Sequence, residues 1–412
     1  MANNFDLIKD LMTKYDGSFY LYDEKLIARQ VNSLSDNFPQ FEFLYSVKTN
    51  PFAPILRYAA ENGFGADAAA SEEVILAEKA GLPYDKIIYS CPGKTRRDIE
   101  KTIEKAIIVA DSYNELLLIN DIAKQKGLSI KVGLRINLDY SMDAGRGKGS
   151  SSKFGVDECT LLEHKDFFNS LSNIKMTGIH VHLKSQVLEH TKLFNYYEKI
   201  FETSLFCKEA LGWNIEFINF GGGLGVPYSI KNDTPLDIEK LSDQCADLLQ
   251  KFKDQLKVRL IIETGRYVIC EAGQYVTRIA DMKESMGTKY LIVEKGLNGF
   301  LRPSIAELLK ACVPEASSYK AAEPLFTVND AFEFLIPEGD SASTERVSIV
   351  GSLCTAADIM VKDAVLPKAK IGDIVIVTKA GSYAYSLSPI LFASHPVPYQ
   401  FYLKANGDIC ME

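Results

Sequence analysis

Short apolar runs alternate with amphipathic stretches along the chain up to residue 266. The runs have the length of buried strands, and the stretches between them carry apolar residues at helical spacing. The predicted strands are residues 17–22, 41–48, 63–69, 86–91, 106–111, 130–137, 175–183, 216–223 and 259–266. The predicted helices are Asp23–Phe38, Ala53–Asn62, Ser71–Ala80, Arg96–Lys105, Tyr113–Lys126, Glu158–Ser170, Glu189–Ala210 and Pro235–Leu256.

Eight of these strands, from residue 41 onward, are separated by helical patterns, which is the strand count of a TIM barrel. Polar residues and glycines cluster at their carboxyl ends, where such barrels place the active site. They are Lys48, Asp67, Arg135, Asn137, His182, Ser185, Gly221–Gly223, Glu263 and Arg266. The pattern therefore predicts an α/β fold, with a (β/α)8 TIM barrel over residues 24–275.

After about residue 275 the pattern changes to short alternating strands that are separated by Gly, Pro, Asp and Asn, with little helix. The predicted strands are 276–280, 289–293, 346–350, 373–378 and 398–403, and residues 313–345 are expected to be loop or insertion. This pattern is typical of a mostly antiparallel β domain. We expect it to comprise residues 1–23 plus 276–412.

Composition narrows the class of protein. The chain has 412 residues and a net charge of −8, which argues against a nucleic-acid partner. No signal peptide and no membrane-spanning run is expected. The eight cysteines contain no CxxC pair, so neither a metal site nor a disulfide framework is predicted, and a cytoplasmic location is expected.

Four features at the predicted strand ends fit one cofactor. Lys48 is the last residue of a predicted buried strand, and a desolvated lysine is the nucleophile that a Schiff base needs, although most strand-end lysines simply extend into solvent. The glycine run 221–225 can approach a phosphate. His182 can stack on an aromatic ring, while Glu263 can hold a proton on a pyridine nitrogen and Arg266 can neutralise a phosphate. Together they favour pyridoxal 5'-phosphate (PLP).

The segments FLYSVKTNP, GADAAASEEV, HVHLKSQ, INFGGGLG and ETGR resemble motifs of the fold-type III PLP-dependent decarboxylases, the ornithine/diaminopimelate/arginine decarboxylase family. The resemblance covers nearly the whole chain and implies a decarboxylase. It implies an internal aldimine on Lys48, with Asp67 and Glu73 near the cofactor. His182 is expected over the ring and Glu263 on the pyridine nitrogen. The phosphate is expected to be contacted by Ser185, Arg266 and the backbone of Gly222 and Gly223.

The second domain carries two further family segments. GSLCTAAD resembles the segment with the catalytic cysteine, here Cys354, and AGSYAYS resembles the segment whose tyrosine, here Tyr383, contacts the phosphate. In this family the active site lies at a homodimer interface and the cysteine comes from the partner chain. The resemblance thus implies a homodimer with shared active sites, in which Cys354 or the released Lys48 reprotonates the α-carbon.

Departures from the family pattern bear on the substrate. Thr355 is neutral where the standard enzymes carry Glu or Asp after the cysteine, and Ala306 replaces a tyrosine, while Arg302 is retained to bind a carboxylate. LCTxxD and the late SHPVP resemble a narrower set of secondary-metabolite and siderophore-pathway decarboxylases. Lys184, on the same predicted strand face as His182, is expected to reach the phosphate or an acidic substrate. The sequence favours an unusual, conjugated or carrier-bound amino acid as substrate.

Two alternatives stay open. One is a diaminopimelate decarboxylase of lysine biosynthesis. The other belongs to a different class, a catalytically silent homologue that binds PLP or a protein partner, although the joint retention of Lys48, Glu263 and Cys354 argues against it.

Overall fold

The computed structural model describes residues 4–229, 231–312, 325, 327–328 and 330–411. The chain divides into two compact units. The barrel unit comprises residues 31–226 and 235–267, and the sheet unit comprises residues 1–30, 227–234 and 268–412.

Eight parallel strands close on themselves in the barrel unit. Each strand pairs with the next along the chain, and the eighth pairs with the first. The strands are Phe41–Ser46, Gly65–Ala68, Ile87–Ser90, Ile107–Ala110, Ile130–Asn137, Ile174–His180, Phe217–Asn219 and Arg259–Thr264. The predicted (β/α)8 TIM barrel is confirmed, and each predicted strand overlaps an observed one.

The interior of the barrel is filled by side chains. One buried cluster contains Leu44, Ile88, Ile107, Val109, Phe217 and Ile261. The ring of Phe217 lies against two glycines on neighbouring strands: a Cβ on Gly178 would be 2.2 Å from the ring carbons, and one on Gly133 would be 2.8 Å away. Both strands need glycine there because any side chain would overlap the aromatic ring.

Helices precede, connect and follow the barrel strands, and some of them begin at a residue whose side chain caps the helix. Thr95 accepts a hydrogen bond from the backbone of Asp98, whose carboxylate accepts one from the Thr95 N–H, which is a capping box. Ser112 and Asp237 cap two other helices in a similar way. The helices are Glu24–Asn37, Ala53–Glu61, Ser71–Lys79, Arg96–Thr102, Tyr113–Gln125, Lys165–Ser170, His190–Ala210, Ile238–Phe252 and the short Arg266–Ile269.

The sheet unit is built on one mostly antiparallel sheet. Its strands, in spatial order, are Ile359–Lys368, Asp340–Val350, Thr288–Val293, Gly273–Ser285, Phe19–Asp23, Tyr399–Leu403 and Ile409–Met411, with Ile374–Val377 and Phe334–Leu335 attached beside them. The early strand Phe19–Asp23 lies in this sheet, as the sequence predicted. A mostly antiparallel β architecture is therefore confirmed.

The sheet unit departs from the prediction in several elements. Helix Phe5–Tyr15 was not predicted, although Ile8, Leu11 and Met12 bury one face at helical spacing. Helix Leu301–Cys312 contradicts the expectation of little helix. The helix tolerates its proline because the proline lies in the first turn, where a missing N–H costs nothing. Strand Ile359–Lys368 was missed because most of its side chains are partly or fully exposed. The strand expected at 346–350 begins at Asp340.

Part of the loop expected over residues 313–345 lies outside the described residues, namely 313–324, 326 and 329. Within the described part of the chain, no helix has both the length and the apolar character needed to cross a bilayer.

Candidate active site

Lys48 lies just beyond the first barrel strand, in the single 3-10 turn Val47–Thr49. Its Nζ donates a hydrogen bond to Asp67 Oδ2 at 2.9 Å. The lysine side chain is 44% exposed, whereas Asp67 is fully buried. The prediction of a buried lysine on the strand itself is therefore wrong, because the strand ends two residues earlier and the side chain extends to an ion pair at the barrel's carboxyl end.

Asp67 is held from both sides. It lies on the second strand, and its Oδ1 accepts a hydrogen bond from Ser90 Oγ at 3.1 Å. Nearby, Glu73 accepts the Ala69 N–H at 2.7 Å. Burial raises the pKa of Glu73 to about 7, and the charge of Asp67 acts in the same direction. A carboxyl that titrates near neutral pH therefore lies close to Asp67.

The glycine run after the seventh strand has a backbone that only glycine adopts easily. Gly221 has φ +68°, and a Cβ there would lie 2.3 Å from the carbonyl oxygen of Val181. Gly223 has φ +128°. The N–H of Gly222, expected at the phosphate, donates to His182 Nδ1 at 2.9 Å. Close backbone approach of this kind fits a phosphate-binding loop.

His182 is fixed as a neutral ring. Burial lowers its pKa to about 3, and the positive charge of Arg135 contributes. Because Nδ1 accepts the Gly222 N–H, the ring proton is on Nε2, which lies 3.3 Å from Ser185 Oγ. A neutral ring held from both nitrogens is suited to stacking on the face of an aromatic cofactor.

Glu263 lies near the end of the eighth strand and is buried. Its Oε1 accepts a hydrogen bond from Asn219 Nδ2 at 2.8 Å and lies 3.2 Å from His180 Nε2. Burial alone raises a carboxyl pKa, but His180 and the ammonium of Lys48 outweigh it and hold the pKa of Glu263 below its ordinary value. Glu263 is thus a buried carboxylate anion, which is the kind of group that can keep a pyridine nitrogen protonated.

Arg266 opens the short helix after the eighth strand and is buried. The preceding Gly265 passes close to the Lys48 turn, since a Cβ there would lie 2.1 Å from Thr49 Oγ1. Both segments follow neighbouring strands of the barrel. The carboxyl ends of the strands therefore bring together an amine, groups suited to a phosphate and a carboxylate suited to a ring nitrogen, and this set of groups fits PLP.

The prediction that Lys184 shares a strand face with His182 is wrong, because the sixth strand ends at His180. Lys184 Nζ instead pairs with Asp143 Oδ2 at 2.7 Å, and Asp143 also receives Lys192 at 3.1 Å. These two lysines hold the pKa of Asp143 at about 2. The structure gives Lys184 a partner in the barrel unit itself.

Cys354 lies in the sheet unit, on the loop between strands Asp340–Val350 and Ile359–Lys368, and it is exposed. The loop is anchored by Asp358, which is 3% exposed. Asp358 Oδ2 accepts the Leu353 N–H at 2.9 Å, and Oδ1 accepts the Leu297 N–H at 2.6 Å. One carboxylate thus ties the cysteine loop to the turn that carries Leu297.

Two glycines make room for this carboxylate. A Cβ on Gly296 would lie 2.2 Å from Asp358 Oδ1, and one on Gly351 would lie 2.1 Å from Oδ2. Thr355 lies on the same loop and is exposed, and its Oγ1 accepts the Ala357 N–H at 3.3 Å. The position after the cysteine therefore carries no charge.

Arg302, expected to bind a substrate carboxylate, is fully buried in the sheet unit. Its guanidinium carbon lies 4.9 Å from the ring centre of Tyr228 and 5.3 Å from that of Phe332. It donates a hydrogen bond from Nη1 to the carbonyl oxygen of Ser382 at 3.1 Å. These contacts stabilise the unit itself, and the substrate-binding role of Arg302 stays a prediction.

Tyr383 follows directly and is buried, with φ +49°. A left-handed backbone is costly for a bulky residue and is frequent at functional sites. The preceding Gly381 is packed against the backbone, since a Cβ there would lie 1.6 Å from the carbonyl oxygen of Ile269. The expected phosphate contact of Tyr383 stays a prediction.

Sequence reasoning missed Asn219, His180 and Asp358. Within the predicted strands 175–183 and 216–223, His180 and Asn219 stand two positions before His182 and Gly221, so strand alternation could have indicated them. Asp358 lies inside a quoted motif, but its backbone partners could not be read from the sequence. Among the described residues, no group of three or more His, Cys, Asp and Glu side chains could hold a metal ion.

Comparison with known proteins points to the same cofactor. Residues 24–270 match the family model described as pyridoxal-dependent decarboxylase, pyridoxal binding domain. The chain is similar to the L-glutamyl-[BtrI acyl-carrier protein] decarboxylase of Niallia circulans, at 32% identity over 97% of this chain and 91% of the relative. It is also similar to the diaminopimelate decarboxylase of Aquifex aeolicus, at 28% identity over 92% and 85%.

Among solved structures, the diaminopimelate decarboxylase of Methanocaldococcus jannaschii in complex with L-lysine superposes with a TM-score of 0.84. It is 26% identical and covers 98% of this chain and 90% of that chain. The match extends over both the barrel and the sheet unit. With Lys48, Glu263 and the glycine loop in the arrangement described above, the chain belongs to the pyridoxal-dependent decarboxylases, carboxy-lyases that use PLP as cofactor.

Proposed function

We propose that this decarboxylase acts on an amino acid carried in an extended conjugate, or bound to a carrier protein, in a biosynthetic pathway. The observation that supports this proposal is the neutral, exposed Thr355 beside Cys354. A standard site for a distal ammonium would need a charged partner there. The similar Niallia circulans enzyme is named as acting on a carrier-bound glutamate.

The barrel unit would hold the cofactor through residues already described. Lys48 is the covalent anchor, and Asp67 orients its amine at 2.9 Å. Arg266, Ser185 and the backbone of Gly223 would receive the phosphate, and His182 would cover the ring. Bound PLP supplies an electron-accepting pyridinium ring, which takes up the electron pair left when the substrate loses carbon dioxide.

Glu263 has one task in this reaction, which is to hold a proton at the ring nitrogen. Its anionic state follows from its low pKa and from the Asn219 and His180 contacts. The neutral state of His182 has a second consequence, because a neutral ring does not compete with the pyridinium for the negative charge of Glu263. The retained proton favours loss of carbon dioxide.

Cys354 would then supply a proton to the α-carbon. We place it in the active site of a second copy of the chain, so that the functional form is a homodimer with shared sites. The exposure of Cys354 on its own sheet unit is compatible with such a role, since the thiol must be reachable to act as an acid. The free thiols include Cys91, Cys159, Cys207, Cys245, Cys270, Cys354 and Cys410, which fits a reducing location such as the cytoplasm.

A substrate panel tests the proposed specificity. Purified protein is reconstituted with PLP, and kcat/KM for carbon dioxide release is measured with meso-diaminopimelate, ornithine, lysine, a γ-glutamyl amino acid and a carrier-bound glutamate. We expect the conjugates to be at least tenfold better than the free diamino acids. Efficient turnover of meso-diaminopimelate would instead assign the protein to lysine biosynthesis.

Hybrid dimers test the shared site. Lys48→Ala and Cys354→Ala proteins, each inactive alone, are mixed under conditions in which subunit exchange is demonstrated by mass labelling. One intact site per hybrid dimer should restore up to half of the wild-type activity per dimer. Cys159→Ala serves as the matched control, because Cys159 is also exposed but lies on the barrel unit. Exchange without recovered activity would contradict the shared site.

A further inference from the structure

We infer that Asn219 is a positioning residue that links the two ends of the cofactor site, holding Glu263 at the ring nitrogen and the glycine loop at the phosphate. This inference rests on the proposed roles of Glu263 and the loop. Asn219 is fully buried on the seventh strand, between the two groups that it contacts.

The amide of Asn219 uses both of its polar atoms. Nδ2 donates to Glu263 Oε1 at 2.8 Å, and Oδ1 accepts the Gly221 N–H at 2.9 Å. The Gly221 contact fixes the first residue of the loop at φ +68°. A shift of the Asn219 side chain would therefore move Glu263 and the loop together.

The contacts of Glu263 are asymmetric. The Asn219 hydrogen bond and the short contact to His180 Nε2 at 3.2 Å both involve Oε1. Within the described residues, Oε2 makes no hydrogen bond. The arrangement leaves Oε2 as the oxygen available for a protonated ring nitrogen, and it makes the rotation of the carboxylate depend on Asn219.

An amide makes both contacts without bringing a second negative charge into the buried site. An aspartate at residue 219 could still accept the Gly221 N–H, but it would bring a second carboxylate oxygen to about 2.8 Å from Glu263 Oε1. Like charges at that distance force one carboxyl to take up a proton or to move away. Asn219→Asp therefore disrupts the ring end of the site and preserves the phosphate end.

The test measures cofactor binding rather than turnover. Dissociation constants for PLP and for pyridoxal, which lacks the phosphate, are measured by absorbance titration on wild-type, Asn219→Asp and Asn219→Ala proteins. We expect Asn219→Asp to weaken both ligands by a similar factor, about tenfold to a hundredfold, because only the charged contact is lost. Asn219→Ala removes both contacts and should weaken PLP by a larger factor than pyridoxal.

Asn214→Asp is the matched control. Asn214 is exposed just before the same strand, and its Nδ2 lies 3.4 Å from Glu216 Oε1, so the substitution makes the same chemical change at the opposite end of the strand. It should leave both constants within twofold of wild type. If Asn219→Asp does not fold, as judged by the thermal unfolding of the cofactor-free protein, the Asn219→Ala comparison of PLP with pyridoxal decides.

Two measurements distinguish a wrong cofactor site from a wrong role for Asn219. If wild-type protein fails to attach PLP to Lys48, as mapped by mass spectrometry after borohydride reduction, the proposed cofactor site itself is wrong. If wild type attaches PLP but Asn219→Asp binds both ligands as tightly as Asn214→Asp does, the positioning role of Asn219 is wrong. Equal losses of PLP and pyridoxal in Asn219→Ala would also contradict the link to the phosphate end.

Discussion

Replacing Asp358 by asparagine should release the loop that carries Cys354. The carboxylate accepts two backbone N–H groups, at 2.6 and 2.9 Å, and is 3% exposed. Asparagine keeps one carbonyl oxygen for one of these donors but presents an NH2 group to the other. One charged hydrogen bond, typically about 1.5–3 kcal/mol, is lost and one buried N–H is left without an acceptor, so we expect local destabilisation of about 3 kcal/mol.

Hydrogen exchange is the appropriate assay, since a two-unit chain need not unfold in one step. Peptides that contain Leu297 and Leu353 should lose protection by about a hundredfold in Asp358→Asn, and Cys354 should be alkylated faster in a peptide-resolved measurement. Asp281→Asn is the control, because Asp281 is exposed and accepts one backbone N–H, from Met282. Equal protection of the Leu297 and Leu353 peptides in both variants would refute the anchoring role of Asp358.

Three further predictions follow from the barrel unit and the substrate position. The pKa of His182 is about 3 in the folded protein, against about 6.5 when unfolded, so the stability it contributes is complete above pH 6.5 and falls by about 1.4 kcal/mol per pH unit below it. In the His182→Gln variant, the urea midpoint of unfolding should change less between pH 7 and 4.5 than it does in the wild type. An unchanged pH dependence of the midpoint would contradict the neutral ring. Gly221→Ala should lower the free energy of unfolding by about 2–4 kcal/mol in the same assay and abolish PLP binding in absorbance titrations. The reason is that the new Cβ would lie 2.3 Å from a carbonyl oxygen, on a backbone with φ +68°. PLP affinity equal to that of the wild type would refute this prediction. Thr355→Glu combined with Ala306→Tyr should raise kcat/KM for meso-diaminopimelate at least tenfold, whereas either single change alone should give a smaller gain.

Much of the barrel could be predicted from the sequence because parallel strands that are buried on both faces are nearly continuous apolar runs. The residues at the strand ends could also be predicted, because Asp67 and Glu263 each place a charged side chain at the end of an apolar run. Local geometry was less accessible. The sequence does not show that the first strand ends at Ser46, and this two-residue difference changes Lys48 from a buried strand residue to a partly exposed one.

The sheet unit was harder to predict because its elements depend on distant partners. Strand Ile359–Lys368 is mixed in character and exists through its pairing with Asp340–Val350. The role of Asp358 depends on Leu297, which is sixty-one residues away in sequence. The burial of Arg302 likewise requires Tyr228 and Phe332, which lie on separate segments of the chain. Contacts of this kind leave no periodic signal.

The packing of Phe217 against Gly133 and Gly178 constrains how this sequence can evolve. Because a single added Cβ at position 178 would overlap the ring, no side chain can appear there unless the residue at 217 first becomes smaller. Three positions on three different strands must therefore change as a set, and homologous sequences should show them covarying. Phe217 also lies two residues before Asn219 on the same short strand. A lineage that repacks this part of the barrel would have to preserve the strand's register to remain catalytically competent.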